Sequence, residues 1–250
     1  MAKLVDFIAA LGAEFDNDRL TYQNTVATFH PESVAEAARL FRLANKFKQP
    51  MYIAGFGNNI TPVGAKFEAM VTVCTDRLNS VIEVSSQDLF VTVGAGFPLR
   101  ELNHHLAPHN LFIPHAYLPY VGSVGGALAT GLRAELGGHE IPLKRFFLKA
   151  EIVTPQGEVI TPGSVCFKSV SGYDVVKVFA GSWGVLGLIA TASLRTIPDS
   201  ARHEYDDMIQ MAPNREAFLA GLIKSNVTTD AVYSRKIKQK FDPNVILPVV

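Results

Sequence analysis

Apolar and polar positions change period several times along this chain, and each change marks an element. Residues 1–20, MAKLVDFIAALGAEFDNDRL, place apolar side chains at helical spacing, interrupted by Glu14, Asp16 and Asp18. Residues 26–30, VATFH, read as a short strand. An amphipathic helix follows: Pro31, Glu32 and Ser33 supply its start, and Val34, Ala37, Ala38, Leu40, Phe41 and Ala44 form its apolar stripe. That helix ends before Pro50, and Met51-Tyr52-Ile53 reads as the next strand, which makes a βαβ unit.

The period then shortens to two. VIEVS (81–85) and LFVTVGAG (89–96) predict a strand pair joined through Ser86-Gln87-Asp88. A helix is predicted from about Pro98 to Leu106, followed by a connection over residues 111–131. Further strands are expected at 146–155, at 158–162 after the Gln156-Gly157 turn, and at 187–197. Pro198-Asp199 marks a boundary, beyond which REAFLAGLIK (215–224) predicts a helix. No internal repeat or low-complexity run is present.

Composition narrows the function. With 250 residues and 48% hydrophobic side chains, the chain is globular in composition. Lys+Arg and Asp+Glu are both 23, so the net charge is zero, which argues against nucleic acid as a partner. The N-terminal stretch lacks the apolar core of a signal peptide or membrane span, and the two cysteines, Cys74 and Cys166, have no Cys-x-x-Cys partner. A cytoplasmic protein with reduced thiols and no iron–sulfur cluster of its own is expected.

Candidate chemistry lies in three glycine-rich loops: AGFGNN (54–59), VGSVGGALATG (121–131) and AGSWGVLGLI (180–189). The first follows a predicted strand, where α/β sheets bind ligands. It matches neither a Rossmann fingerprint, since the later glycine is missing and Pro62 interrupts, nor a Walker loop, since no Lys-Ser/Thr follows. What remains is a turn whose backbone N–H groups can form an anion nest, with Asn58 and Asn59 as neutral donors. In the second loop, Gly122, Ser123, Gly125, Gly126 and Ala127 are small enough for close approach to an extended ligand. Together the loops suggest a large cofactor with a pyrophosphate.

The order HPES…AARLFRLANKFKQPMYIAGFGNN, LFVTVGAGFPLRELN, YVGSVGGALATG and FKSVSGYDVVKVFAGSWGVLGLIATASLRTIP resembles the FAD-binding domain of the vanillyl-alcohol oxidase/p-cresol methylhydroxylase superfamily. Within it, the chain is most similar to the FAD-binding subunits of bacterial glycolate oxidase complexes and related 2-hydroxyacid dehydrogenases. The resemblance covers about residues 20–198. It implies an α+β, two-lobed FAD-binding domain over 1–198. A small βαβ-containing lobe would span about 20–76, and a larger lobe with a mixed or antiparallel sheet and flanking helices about 77–198. Residues 199–250 would be a vestigial substrate cap with a C-terminal element, KIKQKFDPNVILP, that returns to the domain.

The resemblance also implies roles. Ala54, Gly55, Phe56, Gly57, Asn58 and Asn59 would offer amides to the FAD pyrophosphate. Pro119, Gly122, Ser123, Val124, Gly125 and Gly126 would contact pyrophosphate and flavin, with Ala129, Thr130 and Gly131 beside them. Gly187, Leu188 and Ile189 would hold another portion of the cofactor. The loop needs no lysine because amide dipoles suffice for a diphosphate that is never transferred. Lys168 is either a cation near the flavin or a solvated lysine; Tyr173 and Asp174 either line the flavin pocket or bond within the core; Trp183 is expected to pack rather than stack.

The chain departs from the family pattern at Ala54 and Phe56, where an arginine and a small residue are usual, and at Phe146, where an aspartate follows the arginine. Asn58 and Asn59 stand where covalent-flavin members carry a histidine, so FAD is expected to bind non-covalently. His104, His105, His109 and His115 suggest a metal, yet Pro108 separates the i, i+4 pair His105 and His109, and no metal site is expected. The implied activity is that of an FAD-dependent oxidoreductase subunit acting on CH–OH donors such as glycolate or lactate. Its expected partners are a second flavin subunit, an iron–sulfur subunit, or both, with room for peripheral membrane association. Two alternatives stay open: an FAD-carrying electron-transfer subunit without a substrate site, and a flavin-free structural paralogue. No catalytic residue can be named.

Overall fold

The computed structural model describes residues 2–23, 25–165, 175–216, 219, 222 and 229–250. Helix α1 (Ala2–Glu14) precedes the hairpin β1 (Leu20–Gln23) and β2 (Val26–Phe29). Helix α2 (Val34–Phe47) starts where the sequence places it: Ser33 is extended and its Oγ accepts from the Glu36 N–H at 3.1 Å. It stops at Lys48, which turns left-handed at φ 51° and returns its N–H to Ala44 and Asn45. Of the predicted stripe, Ala37, Ala38, Leu40, Phe41 and Ala44 are fully buried and Val34 partly so. Each large side chain so buried stabilises by about 1.5–3 kcal/mol.

Strands β3 (Met51–Ala54) and β4 (Val71–Cys74), with the short α3 (Ala65–Glu68) between them, complete a first sheet of order β1-β2-β4-β3. The unit β2-α2-β3 is parallel as expected, but its strands are not neighbours: β4 inserts between them, parallel to both.

The second sheet is antiparallel. It runs β11-β10-β12-β6-β5, from β5 (Val81–Ser85), β6 (Phe90–Gly94), β10 (Phe147–Val153), β11 (Val159–Ile160) and β12 (Leu188–Arg195). β12 is buried on both faces. Leu188 and Ala190 join Phe41 and Val153 in the core under α2, while Ile189, Ala192 and Leu194 face a second core. Helix α2 thus locks the two sheets together, and Arg42 Nε donates to Gly157 O at 3.2 Å across the seam.

The predicted helix at 98–106 is a 3-10 turn, Leu99–Glu101, running into α4 (Leu102–Leu106). The predicted connection contains β7 (Leu111–Phe112), which pairs with β13 (Ile197–Pro198), and α5 (Val124–Ala129). A further hairpin, β8 (Arg133–Leu136) and β9 (His139–Pro142), turns at Gly137 and Gly138 with φ 57° and 80°. That Gly-Gly pair was a readable hairpin signal, and the sequence reading passed over it. Strand β14 (Ile209–Gln210) adds to β8. The helix expected at 215–224 lies largely outside the described residues.

Helix α6 (Thr229–Phe241) leads to a clasp. Buried Asp242 accepts from the N–H groups of Ile246 and Leu247, each at 2.8 Å, and pairs with Lys238. Lys238 Nζ also donates to Val185 O and Leu247 O, both at 2.7 Å. The clasp delivers Ile246 to β3, where its carbonyl accepts from Met51 N–H at 2.7 Å.

Candidate cofactor cleft

Between the sheets lies a cleft of about 820 Å³, within the size range of cofactor sites. All three glycine-rich loops reach it, and small residues let them touch. A Cβ on Gly55 would sit 2.5 Å from Ser123 Oγ, and one on Gly122 would sit 3.3 Å from Asn58 Nδ2. The third loop docks on the end of α5 through Gly181 N–H to Leu128 O at 2.9 Å and Trp183 N–H to Ala129 O at 2.8 Å. It also meets β3, since a Cβ on Gly184 would lie 3.3 Å from Ile53.

The predicted residues separate cleanly. Ala54 to Asn59 line the cleft, as do Pro119, Gly122, Ser123, Gly125, Gly126, Ala129, Thr130, Gly187 and Ile189. Val124 and Leu188 do not: both are fully buried in the cores, Leu188 alternating at the start of β12 with the cleft-lining Gly187 and Ile189, and Val124 turned inward on the first turn of α5. Gly131, left-handed at φ 68°, packs against Gly181 instead. Lys168, Tyr173 and Asp174 lie outside the described residues. Phe56 stands at the mouth, 44% exposed, and leaves the cleft open. Phe146 is buried with its ring edge-on to His115, so the position that carries an aspartate in the family pattern here serves packing. Among the histidines, His104, His105 and His109 are exposed, and α4 ends at Leu106, before the pair could share a helix face.

Other lining residues escaped the sequence reading. Arg100 borders the cleft, its Nη2 donating to Pro119 O at 2.6 Å. Gln210 clamps the second loop from ninety residues away: its Oε1 accepts from Tyr120 N–H and its Nε2 donates to Tyr120 O, both at 3.0 Å. No periodic signal marks a two-residue strand such as β14. Tyr52 forms part of the wall, and burial pushes its phenol up to about 12, so it stays a neutral hydroxyl. Trp183 lines the cleft too, held left-handed at φ 54°, a strained conformation for a bulky residue.

The donor set fits a dinucleotide diphosphate. Among the described residues, none accepts from the N–H groups of residues 56–60, so a run of backbone donors is unspent at the cleft. The described lining contains no Asp or Glu to repel a diphosphate, and Arg100 is its one cationic side chain. The walls, including Ile53, Ile60, Leu132 and Ile189, are apolar enough for a flat ring system.

The chain matches the family model described as "FAD binding domain" over residues 26–163. It is 27% identical over 171 residues to the D-lactate dehydrogenase of Archaeoglobus fulgidus, covering 67% of this chain and 38% of that protein. With the glycolate oxidase subunit GlcD of Bacillus subtilis it shares 24% identity over 176 residues, 69% of this chain and 37% of that protein. Mitochondrial D-lactate dehydrogenase [cytochrome] of Arabidopsis thaliana is 29% identical over 167 residues, 66% of this chain and 29% of that protein. The chain therefore spans only about a third of the length of these curated relatives. Among solved structures, an alkyldihydroxyacetonephosphate synthase superposes with TM-score 0.63 at 22% identity, over 77% of this chain and 40% of that one. The 4-ethylphenol oxidase of Gulosibacter chungangensis does so with TM-score 0.63 at 16% identity, over 79% and 43%. Glycine-rich loops meeting at a cleft whose described lining holds no acid and a family match over more than half the residues agree, and the chain belongs to the family of FAD-binding domains, with FAD as its cofactor.

Proposed function

We propose that this chain is the FAD-binding part of a 2-hydroxyacid oxidoreductase complex that takes a glycolate- or lactate-like substrate and hands its electrons to a partner subunit. The convergence of the three loops on one cleft carries the reading, and the hydroxyacid relatives supply the substrate class. FAD, when bound, supplies the acceptor for the hydride leaving C2 as the hydroxyl proton departs and the 2-oxo acid forms. This chain's residues hold and shield. The unspent N–H groups of residues 56–60 and the side chains of Asn58 and Asn59 receive the diphosphate, with Arg100 as a nearby cation. Ile53, Ile189 and Trp183 exclude water from the walls. The described lining offers no histidine or cysteine for attachment, which supports non-covalent binding.

A partner subunit, iron–sulfur or flavin-bearing, fits the mouth of the cleft, where Tyr120 and Ile209 stand 84% and 69% exposed. The relative in Bacillus subtilis is itself named as a subunit. Among the described residues no helix is long and apolar enough to cross a membrane. One observation favours a second reading, an electron-carrying subunit without its own substrate site: the described lining has no His, Asp, Glu or Lys to accept a hydroxyl proton.

Trp183 is the single tryptophan of the chain and lines the cleft, so titration with FAD should quench its emission to saturation at one cofactor per chain. Anaerobic addition of glycolate or either lactate, with and without co-purified partners, then separates the readings. Bleaching of the flavin band by a hydroxyacid supports the first. Reduction only through a reduced partner supports the second, and failure of FAD to bind refutes both.

A further inference from the structure

We propose that His30, Cys74 and Asp76 form a binding site for a zinc-type divalent metal ion, outside the cofactor cleft. The fold brings them together through strand pairing. β2 and β4 are parallel neighbours with Phe29 opposite Val73, so His30 and Cys74 leave the sheet side by side at its carboxyl end. Asp76 follows two residues later. One donor atom from each side chain lies within 4.8 Å of the other two, and all three residues are partly buried.

A shared proton joins two of the three. Asp76 Oδ1 accepts from His30 Nδ1 at 2.7 Å, while the Cys74 thiol donates to Gly55 O at 3.4 Å. Arg77, the nearest cation in sequence, is turned away and held by Asp18 and Glu32 at 2.7 and 2.9 Å, so it does not neutralise Asp76. A thiolate, an imidazole and a carboxylate make a donor set for zinc rather than for magnesium or calcium, which avoid sulfur. With usual zinc bond lengths, tetrahedral donors stand roughly 3.3–3.8 Å apart. His30 and Asp76 therefore part by about half an ångström to admit the ion, and a water takes the fourth position.

An outer partner is already in place. Thr21 Oγ1 lies 2.9 Å from His30 Nε2. When Nδ1 binds the ion, the ring proton moves to Nε2 and Thr21 Oγ1 accepts it, which orients the ring. The thiol proton leaves to solvent, so each ion bound releases one proton.

The test uses the full chain, stripped with a chelator and dialysed against zinc chloride, with metal per chain measured by mass spectrometry. Cobalt(II) serves as the spectroscopic probe, read as a difference against the zinc-loaded protein so that any bound flavin cancels. The expected result is one ion per chain and a thiolate-to-cobalt band in the near ultraviolet. Cys74→Ser should abolish that band, His30→Gln and Asp76→Asn should lose stoichiometric zinc, and Thr21→Val should bind about tenfold more weakly. Cys166→Ser should keep the band, which preserves the test should Cys74→Ser misfold. Absence of a stoichiometric ion in the unaltered protein, a spectrum without thiolate character, or loss of the band in Cys166→Ser would overturn the proposal.

Discussion

Gly55→Ala tests whether the first two loops meet as closely as the fold shows. Gly55 is not among the glycines with positive φ, so alanine brings no left-handed strain. Its Cβ would lie 2.5 Å from Ser123 Oγ, 3.6 Å from Ser123 Cβ and 3.7 Å from Gly126 Cα. Only the first contact is intolerable, and it is short by about an ångström. Ser123 cannot simply swing away, because its Oγ caps α5 by accepting from Gly126 N–H at 3.1 Å. Either the cap is lost, at about 0.5–2 kcal/mol, or the loops separate with an overpacking cost of about 1–3 kcal/mol. The melting temperature should fall by about 2–4 °C per kcal/mol. FAD affinity, followed by Trp183 quenching, should weaken about tenfold for each 1.4 kcal/mol spent in holding the loops apart. Adding Ser123→Gly removes the obstructing oxygen, and glycine at a helix start costs only about a few tenths of a kcal/mol relative to serine. The double variant should recover most of the lost affinity. Unchanged FAD binding in Gly55→Ala, or a double variant no better than the single one, refutes the reasoning.

Two further predictions concern stability. Burial lowers the His115 imidazole to about 4 while Nε2 donates to Ile141 O at 2.9 Å, so the folded state resists a proton that the unfolded chain accepts at about 6.5. Stability is then complete above pH 6.5 and falls by roughly 3 kcal/mol as pH drops to about 4. Urea unfolding across that window should show a shallower slope in His115→Gln, and equal slopes would exclude His115 as the cause. Asp242→Ala takes the carboxylate partner from the largely buried Lys238 ammonium, leaving it only two carbonyls, and frees two N–H groups, a loss of about 3–5 kcal/mol. Hydrogen exchange should then rise at residues 245–250 and at Met51, whose N–H bonds Ile246; unchanged protection at Met51 would disprove that the clasp supports β3.

Much of the local structure was legible because its causes are local. A serine start, an apolar stripe and a following proline define α2, and alternation defines β5, β6 and β10 within two or three residues of the observed ends. The small residues at 54–59 and 121–131 were visible as places where backbone could come close to a ligand. Which of them face the cleft was not: Val124 and Leu188 sit within the same motifs but point into cores, since facing depends on the sheet and helix against which a segment packs. The insertion of β4 between β2 and β3 was equally hidden, because periodicity is blind to which strand a parallel neighbour will be.

Sequence alone thus determined α2, the strands β2, β3, β5, β6, β10 and β12, the glycine-rich loops and the absence of a phosphate-transfer lysine, all of which depend on neighbours a few residues apart. Tertiary structure decided the rest by burial and pairing across long separations. It set Gln210 against Tyr120, left the N–H groups of residues 56–60 unspent at the cleft, and joined His30 to Asp76 at the end of two strands. Such contacts form only when apolar faces far apart in the chain leave water together, and no window of sequence contains both partners.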